Sequence, residues 1–284
     1  MGAKWKGWAF AAPALLLLAV LLAAPVAIMG LQSFRPFIAG QIGAGAGWTL
    51  RNYTELIHPS YAFYFFDTFR IGVVVSAIAL VLSAPLAWVV ARTKRRWART
   101  AIYGLLIGLL FMGLVSRLYA IQMTYGPTGP LAMLGDLLGI PARSPGYAVV
   151  QVALGLLHFV IPVTALTLVG AFQNLNPRLV EAATSLGAPQ WRAAVGIVLP
   201  LALPGLLSAF LIAFAMCISN FVVPLILGRG VVLFTTNLMY VRFSDVANYP
   251  SGAAIGLIML VLSFAIVYGL TALARIALMR RYGI

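Results

Sequence analysis

Acidic residues are scarce in this 284-residue chain: five Asp and Glu stand against 19 Lys and Arg, which gives a net charge of +14. Only 8% of the residues are charged, whereas 63% are hydrophobic. Soluble globular domains carry about 25% charged residues, so this composition indicates a protein that crosses the membrane several times. The basic residues stand at the ends of apolar runs rather than among aromatics on a polar face, which argues against a nucleic-acid partner.

Residues for catalysis or metal binding are also sparse. The single cysteine, Cys217, lies within an apolar run, so a disulfide framework and a thiolate metal cluster are both excluded and a packing role is expected. His58 has no metal-ligating residues at suitable spacing and is expected at the surface. No G-x-x-x-x-G-K-[ST] motif occurs, which excludes ATP hydrolysis by a phosphate-binding loop of that type. We therefore expect neither catalytic residues, a metal site nor a bound cofactor.

Carboxylates are missing from the interior of the apolar runs. Asp67 lies at the edge of one run, and the other acids lie outside the runs. Many proton- or sodium-coupled carriers use intramembrane carboxylates as a relay, so a carrier of that kind would lack its expected residues. Energy for transport should therefore come from another protein. An ion-coupled secondary carrier and a non-transporting membrane scaffold are the alternatives.

Six long apolar runs dominate the chain. Each can cross ~30 Å of hydrocarbon as a helix that rises about 1.5 Å per residue. The runs cover about residues 8–31, 67–91, 101–123, 146–172, 204–227 and 251–273. The first run is too long for the hydrophobic part of a secretory signal, so we expect an uncleaved span. A small helix is expected near residues 53–57, and a short amphipathic stretch surrounded by turns is expected at residues 131–138. The predicted fold class is all-α.

Glycine spacing and basic residues add to this picture. Gly104 and Gly108, and likewise Gly252 and Gly256, stand four apart, a spacing that allows helices to approach closely.

The densest basic block, RTKRRWAR at residues 92–99, follows the second run and should face the cytoplasm. It places both termini and the loop after the fourth run on the same side. We expect an N-terminal helix and periplasmic loop over residues 1–50 and a core over residues 51–284.

The loop after the fourth run carries signals for a short helix. Asn176 suits the N-cap, and Pro177 suits the first helical position, where a missing N–H costs nothing. Leu179, Ala183 and Leu186 then recur at helical spacing. Gly187 follows where a chain leaving a helix often adopts a left-handed conformation, so the helix should end there.

A second short helix is predicted directly afterwards. Pro189 can begin it, and Trp191, Val195 and Val198 form an apolar stripe that leads to Pro200 and the next run. The sequence therefore predicts two short helices at an angle, held between two membrane spans.

The segment EAATSLGAPQWRAAVGIVLP, residues 181–200, resembles the EAA loop of the inner-membrane permease subunits of binding-protein-dependent ABC importers. The matching positions are Glu181, Ala182, Ala183, Gly187, Ile197, Leu199 and Pro200. An ordinary amphipathic connector is the alternative, and the cytoplasmic placement of the loop favours the family. The resemblance implies a type I ABC importer permease fold with six transmembrane helices and a cytoplasmic coupling helix that sits in a groove of an ATPase subunit.

The resemblance also implies partners. They are two ATPase subunits that use ATP and Mg, a second permease that is related but not identical, and a periplasmic or lipid-anchored solute-binding protein, all at a bacterial inner membrane.

LRNYTELI near residue 50 and FVVPLILG at residues 221–228 are similar to the branch of polyamine-type permeases. This similarity implies a small polar solute, polyamine-type or related, such as an amino-acid derivative. Asn220 stands where several polyamine-type relatives have an acidic residue, which weakens the case for a cationic solute.

Polar residues at span depth are the candidates for the solute pathway, because burying them in lipid is costly. These residues are Arg117, Gln122, His158 and Asn220. The alternatives are interfacial snorkelling for Arg117 and interhelical hydrogen bonding for the other three.

Overall fold

The computed structural model describes residues 2–40, 45–137, 139–189, 192 and 194–282. In chain order the helices are α1 (Gly2–Ser33), α2 (Arg51–Leu56), α3 (Pro59–Arg92), α4 (Arg96–Phe111), α5 (Leu114–Tyr125), α6 (Met133–Leu137), α7 (Pro145–Gln173), α8 (Arg178–Ser185), α9 (Leu199–Ile218), α10 (Val222–Leu227), α11 (Thr235–Tyr240) and α12 (Tyr249–Tyr282). Two π-helical turns, Ala194–Val198 and Val241–Asp245, precede α9 and α12. The predicted small helix near residues 53–57 corresponds to α2, which confirms it, and α6 lies within the amphipathic stretch at residues 131–138.

Five of the helices in the described part of the chain are long and apolar enough to cross a membrane. They are α1 from Ala12 onward, α3, α7, α9 together with the end of the π turn, and α12. Four of the six apolar runs therefore form one continuous helical span each at close to the predicted positions. The third and fifth runs differ from the prediction.

The third run is not the single span that the sequence predicted. It forms α4 and α5, which are bent by 98° relative to each other and count as a sixth, broken span if taken together. Met112 and Gly113 between them are extended, with ψ angles of 127° and 130°. The Nη2 atom of Arg117 donates to the carbonyl groups of Leu109 and Met112. These carbonyls lose their helical partners at the break, and Arg117 satisfies them instead.

The fifth run begins and ends earlier than predicted. The π turn Ala194–Val198 continues directly into α9, which ends at Ile218, and Val222–Leu227 forms the separate helix α10. At the start of α9, Pro200 has no N–H to give the carbonyl four residues before it, a defect that a wider π turn accommodates. At its end, the Asn220 side chain accepts a hydrogen bond from the Val223 N–H at 2.9 Å and so caps the new helix.

The helices group into two compact units. One unit comprises the residues up to Phe65 together with Asn237–Ala265. In it, a Cβ atom built on Gly252 would lie 2.7 Å from the Phe243 ring, and one on Gly256 would lie 2.7 Å from the Met29 methyl group. These contacts confirm the close packing predicted for this glycine pair. Gly104 and Gly108 have the same spacing, but a Cβ atom built on either glycine meets nothing within 4 Å. The close packing predicted for this pair therefore does not occur within this chain.

The other unit comprises Phe66–Thr236 and the chain from Ile266 onward. It contains two hydrophobic clusters. The first joins α3, α5, α7, α9 and α10 around Val75, Leu118, Val152, Cys217 and Val223. Cys217 is fully buried there, as expected for a packing residue. The second cluster joins α3, α7 and α9 around Val90, Leu168, Phe172, Val198 and Leu206, and Leu175 and Val180 pack against it from the α8 segment.

Candidate functional site

The start of α8 has the geometry that the sequence predicted. The Asn176 side chain accepts a hydrogen bond from the Arg178 N–H at 3.0 Å. Pro177 already has helical dihedral angles, φ −62° and ψ −27°. The side-chain oxygen thus satisfies a backbone donor that the first turn leaves without a partner. The predicted cap and proline position are confirmed.

The end of α8 is fixed by Gly187, which has a φ of +87°. The Gly187 N–H donates to the Thr184 carbonyl at 3.0 Å, and the Ala188 N–H donates to the Ala183 carbonyl at 3.1 Å. This pair of bonds is the Schellman arrangement, in which a left-handed residue reverses the chain at a helix end. Gly187 therefore ends the helix as predicted, in a conformation that strains any residue with a Cβ atom.

The surface of α8 is open. No residue of this helix, all of which is described, is buried. Glu181 and Ala182 are exposed and Ala183 is half-buried. The apolar side chains of Leu179 and Leu186 are 43% and 89% exposed. A helix with leucines on its surface, held at both ends by specific hydrogen bonds, is suited to contact another protein.

The second half of the segment is not separated from the next span as predicted. The chain from Ala194 is a π turn that joins α9 without a break, and the start of the helix predicted from Pro189 falls largely outside the described residues. Ile197 and Pro200 are half-buried and Leu199 is 48% exposed. Trp191 lies outside the described residues. α8 lies against the π turn that continues into the membrane span α9.

Arg92 is a residue of this site that the sequence did not single out. Its Nη2 atom donates to the Leu175 carbonyl at 3.1 Å, just before α8. Its guanidinium carbon lies 4.9 Å from the centre of the Trp88 ring, and Trp88 meets Phe172 edge to face at 5.5 Å. The end of α3 is thereby tied to the chain that enters α8. Trp88 and Arg92 are four residues apart, a spacing that places two side chains next to each other on a helix. This spacing could have indicated the stack from the sequence.

Gln122 takes part in an interhelical network, the alternative that the sequence left open. The fully buried Gln151 of α7 donates to Gln122 at 3.5 Å and to the Tyr125 carbonyl at 3.1 Å. The Tyr147 hydroxyl donates to the same carbonyl at 2.7 Å. Gln151 and Tyr147, which the sequence did not single out, hold the end of α5 against α7.

Asn220 combines a capping role with a position on a pocket. Besides capping α10, it lines an open pocket of about 300 Å³. The other lining residues are Phe159, Met216, Ser219, Phe221 and Val222. A pocket with aromatic walls and a few polar groups is suited to a small organic molecule.

Arg117 and His158 lie in the same unit. Arg117 is 2% exposed, so the snorkelling alternative is wrong: its side chain turns inward to the end of α4. His158 of α7 is half-buried, and its Nδ1 atom is buried without a hydrogen-bond partner. The candidates thus divide among the Gln122 network, the Asn220 pocket, the buried Arg117 at the end of α4 and His158 of α7.

These features define a helical membrane protein with a capped, exposed helix between two of its spans. Residues 83–276 match the family described as "Binding-protein-dependent transport system inner membrane component". The chain belongs to this family and is a permease subunit of an ABC importer. It is an integral membrane protein, and the catalytic role in such importers lies generally outside the permease component.

Several characterised permeases are similar in sequence. The spermidine/putrescine transport system permease protein PotB of Haemophilus influenzae is 27% identical over 223 residues, which cover 78% of this chain and 77% of that protein. PotB of Escherichia coli K12 is 27% identical over 210 residues, 73% of this chain and 76% of that protein. The molybdenum transport system permease protein ModB of Azotobacter vinelandii is 29% identical over 167 residues, 58% of this chain and 71% of that protein.

Solved structures confirm the predicted permease fold. A chain of the bacterial alginate ABC transporter in complex with an alginate pentasaccharide-bound periplasmic protein superposes with a TM-score of 0.76, at 15% identity, over 97% of this chain and 96% of that chain. A second structure, of an ABC transporter involved in the import of the acidic polysaccharide alginate, gives a TM-score of 0.70 at 17% identity and covers 96% of each chain. At these identities the likeness concerns the fold alone.

Proposed function

We propose that this chain forms half of a transmembrane solute pathway and that α8 is the coupling helix that receives mechanical work from a separate ATPase subunit. The observation that carries the proposal is the Schellman end of α8, with Gly187 at φ +87° and leucines exposed on the helix surface. The family and the solved relatives support it, because they are components of ATP-driven importers.

The coupling residues divide the work among them. Glu181 would hold the docked helix by polar contacts. The small side chains of Ala182 and Ala183 would allow the helix to fit into a groove of the ATPase subunit. Gly187 provides the turn after the helix. Ile197, Leu199 and Pro200 anchor the following turn to α9.

Two routes lead from α8 to the spans. One runs through the π turn Ala194–Val198 into α9, and the other runs through the Leu175 carbonyl and Arg92 into α3. When ATP draws two ATPase subunits together, the coupling helices of two permeases would approach each other. Both spans would then move with α8, and the pathway would open toward a loaded binding protein.

The proposed assembly contains two ATPase subunits that use ATP and Mg, and this chain paired with a second permease that is related but not identical. A periplasmic or lipid-anchored solute-binding protein delivers the solute. The chain lies in a bacterial inner membrane with both termini in the cytoplasm, a topology supported by the basic block at residues 92–99.

The proposed solute is small and polar, polyamine-type or related, such as an amino-acid derivative. The similarity to two spermidine/putrescine permeases at 27% identity supports this class. The pocket of about 300 Å³ beside Asn220 is of a size for such a molecule.

The test is reconstitution of the complex that co-purifies with the tagged chain. ATPase activity in liposomes should depend on the co-purified ATPase and should rise at least several-fold with the loaded binding protein. ATP should drive uptake in the absence of any proton or sodium gradient. Uptake that follows an ion gradient without ATP would establish a secondary carrier instead, and a complex without solute flux would establish a scaffold.

A further inference from the structure

A cavity of about 410 Å³ lies within the compact unit that contains α1. It is enclosed by the loop after α1, by α2 and by the chain at and after the π turn Val241–Asp245. Its volume is in the range of small-molecule sites. We call this cavity the outer cleft, and its polar lining residues are Thr49, Arg51, Asn52, Glu55, Arg242 and Asn248.

The outer cleft belongs to the side of the membrane that faces away from the cytoplasm in the proposed topology. α1 ends at Ser33, α3 begins at Pro59 and α12 begins at Tyr249, and the lining residues follow or precede these three helix ends in the chain. The basic block at residues 92–99 follows the opposite end of α3. The cleft therefore lies on the side on which a binding protein delivers solute.

One wall of the cleft is held in place by hydrogen bonds of the chain itself. The Thr49 N–H donates to the Phe34 carbonyl at 2.7 Å, which closes the loop after α1. Asn52 is 5% exposed, and its Nδ2 atom donates to the carbonyls of Ser33 and Arg35 at 2.8 and 2.9 Å. The loop is thus fixed to α2 before any ligand arrives, and the Asn52 Oδ1 atom remains as an acceptor.

The opposite wall has an unusual backbone. Ala247 has a φ of +53°, which strains a residue with a Cβ atom, and it follows the π turn Val241–Asp245. The Asn248 N–H donates back to the Arg242 carbonyl at 2.7 Å. Its side-chain oxygen accepts from the Ser251 N–H at 3.0 Å, so its Nδ2 atom remains as a donor. Strained residues and π turns are found mainly where a function retains them.

The charges of the cleft are not balanced. Arg51 and Glu55 are four apart on α2, a spacing that allows an ion pair. Glu55 instead binds Arg242, with Oε1 at 2.8 Å from Nη2, and within the described part of the chain no carboxylate pairs with Arg51. Two arginines and one glutamate among the described lining residues give a net charge of +1. The cleft therefore offers an unpaired guanidinium and, at Oε2 of Glu55, a further acceptor.

We propose that the outer cleft is an entry subsite for the transported solute and that this solute is a zwitterion of the amino-acid type. Arg51 binds the carboxylate of the solute, with Asn248 as a second donor. The oxygens of Glu55 and Asn52 accept hydrogen bonds from its ammonium group. This inference rests on the proposed function and deepens it, because it selects the amino-acid derivative over the polyamine.

A polyamine fits the outer cleft poorly. It carries two or more positive charges, whereas the lining already has one positive charge in excess and its carboxylate is paired with Arg242. Like charges at such a site repel, which discriminates against the wrong ligand. An acidic side chain of the binding protein is a different occupant that Arg51 could bind, and the experiment distinguishes it from the solute.

The test measures how ligands protect a cysteine in the cleft of the purified, assembled importer without binding protein. Val246 lines the cleft and is 44% exposed, and the natural cysteine, Cys217, is fully buried, so Val246→Cys provides a single reactive thiol. γ-Aminobutyrate, butyrate and putrescine share a four-carbon skeleton and differ in charge. At constant ionic strength, γ-aminobutyrate should slow maleimide labelling in a saturable manner, butyrate should do so more weakly, and putrescine should have no effect.

Further variants assign the protection to the cleft. In the Val246→Cys background, Arg51→Gln should weaken the apparent affinity for γ-aminobutyrate by about tenfold or more, the loss expected when a charged hydrogen bond is removed. Arg51→Lys keeps the positive charge and should retain part of the affinity. Arg143→Gln changes an exposed arginine outside the cleft and should leave protection unchanged. Ile57→Cys is 76% exposed outside the cleft, and none of the three probes should alter its labelling.

Two outcomes would overturn the inference. Protection by putrescine that equals or exceeds protection by γ-aminobutyrate would exclude a zwitterion subsite. Protection by added binding protein without solute, together with no effect of γ-aminobutyrate, would assign the cleft to protein docking. ATPase stimulation by the loaded binding protein, measured on the same preparation before labelling, tests the proposed function independently of either result.

Discussion

The guanidinium group of Arg92 donates a hydrogen bond to the backbone carbonyl of Leu175, at 3.1 Å and across 83 positions of the chain. Arg92 is the last residue of α3, and Leu175 lies three residues before α8 begins. The bond thus links a membrane span to the approach of the proposed coupling helix. Trp88 stacks on the same guanidinium and fixes its direction.

Arg92→Gln should weaken coupling without preventing assembly. Glutamine is too short to reach the Leu175 carbonyl and cannot form the cation–π contact. A movement of α8 would therefore move α3 less. We expect the number of solute molecules transported per ATP hydrolysed to fall about threefold to tenfold, corresponding to about 1 kcal/mol of lost interaction. This number is obtained by measuring the rate of ATP hydrolysis and the rate of uptake in the same liposomes. Arg95→Gln, in the same basic block but exposed, is the control.

Leu186→Asp should weaken binding of the ATPase subunit. Leu186 is 89% exposed in this chain, and burying a leucine in an interface contributes about 1.5–3 kcal/mol. The affinity of the permease for the ATPase should fall by about tenfold or more. Leu137→Asp is the control, since Leu137 of α6 is 80% exposed outside the coupling segment. Equal loss of affinity in both variants would contradict the docking role of α8.

Gly187→Val should uncouple the transporter while leaving it inserted in the membrane. Valine at φ +87° costs about 1–2 kcal/mol or more, and the helix would end with a different turn. We expect normal membrane levels and at least about tenfold slower uptake. Gly170→Val is the control, because Gly170 has open space around it and no unusual φ. Wild-type uptake by Gly187→Val would argue against the assigned role of this turn.

Gly252→Val should destabilise the unit that contains α1 and the first half of α12. Its Cβ atom would lie 2.7–2.9 Å from the Phe243 ring, and overpacking of this kind typically costs about 1–3 kcal/mol. Gly269→Val on the same helix meets nothing within 4 Å and serves as the control. Thermal unfolding of the solubilised protein should show a lower transition for Gly252→Val only. The reverse order would contradict the close packing of Gly252 against Phe243.

Local chemistry explains why α8 could be predicted. Asn176 and Pro177 fix the start of the helix, and Gly187 fixes its end. Both ends depend only on residues within one or two turns, so the local sequence is enough to predict them. Four of the six spans could be predicted as well, because the hydrophobic thickness of a membrane fixes the length of an apolar run that crosses it.

Other features depend on contacts that no local pattern records. The bend at Met112 follows an uninterrupted apolar run and is stabilised by Arg117, which returns to the end of α4. The sequence places Arg92 in a basic block and gives no sign of its partner, because the Leu175 carbonyl is distant in sequence. The π turn before α9 has one local signal, Pro200, and that signal is compatible with an ordinary helix start as well.

The most direct test of the coupling account is the accessibility of a cysteine placed on α8. Ser185→Cys is suitable because Ser185 is exposed and the natural cysteine, Cys217, is fully buried. A membrane-impermeant maleimide should label Ser185→Cys in inside-out vesicles and not in spheroplasts, and bound ATPase should protect it. Labelling in spheroplasts, or labelling that the ATPase leaves unchanged, would contradict the proposed role of α8.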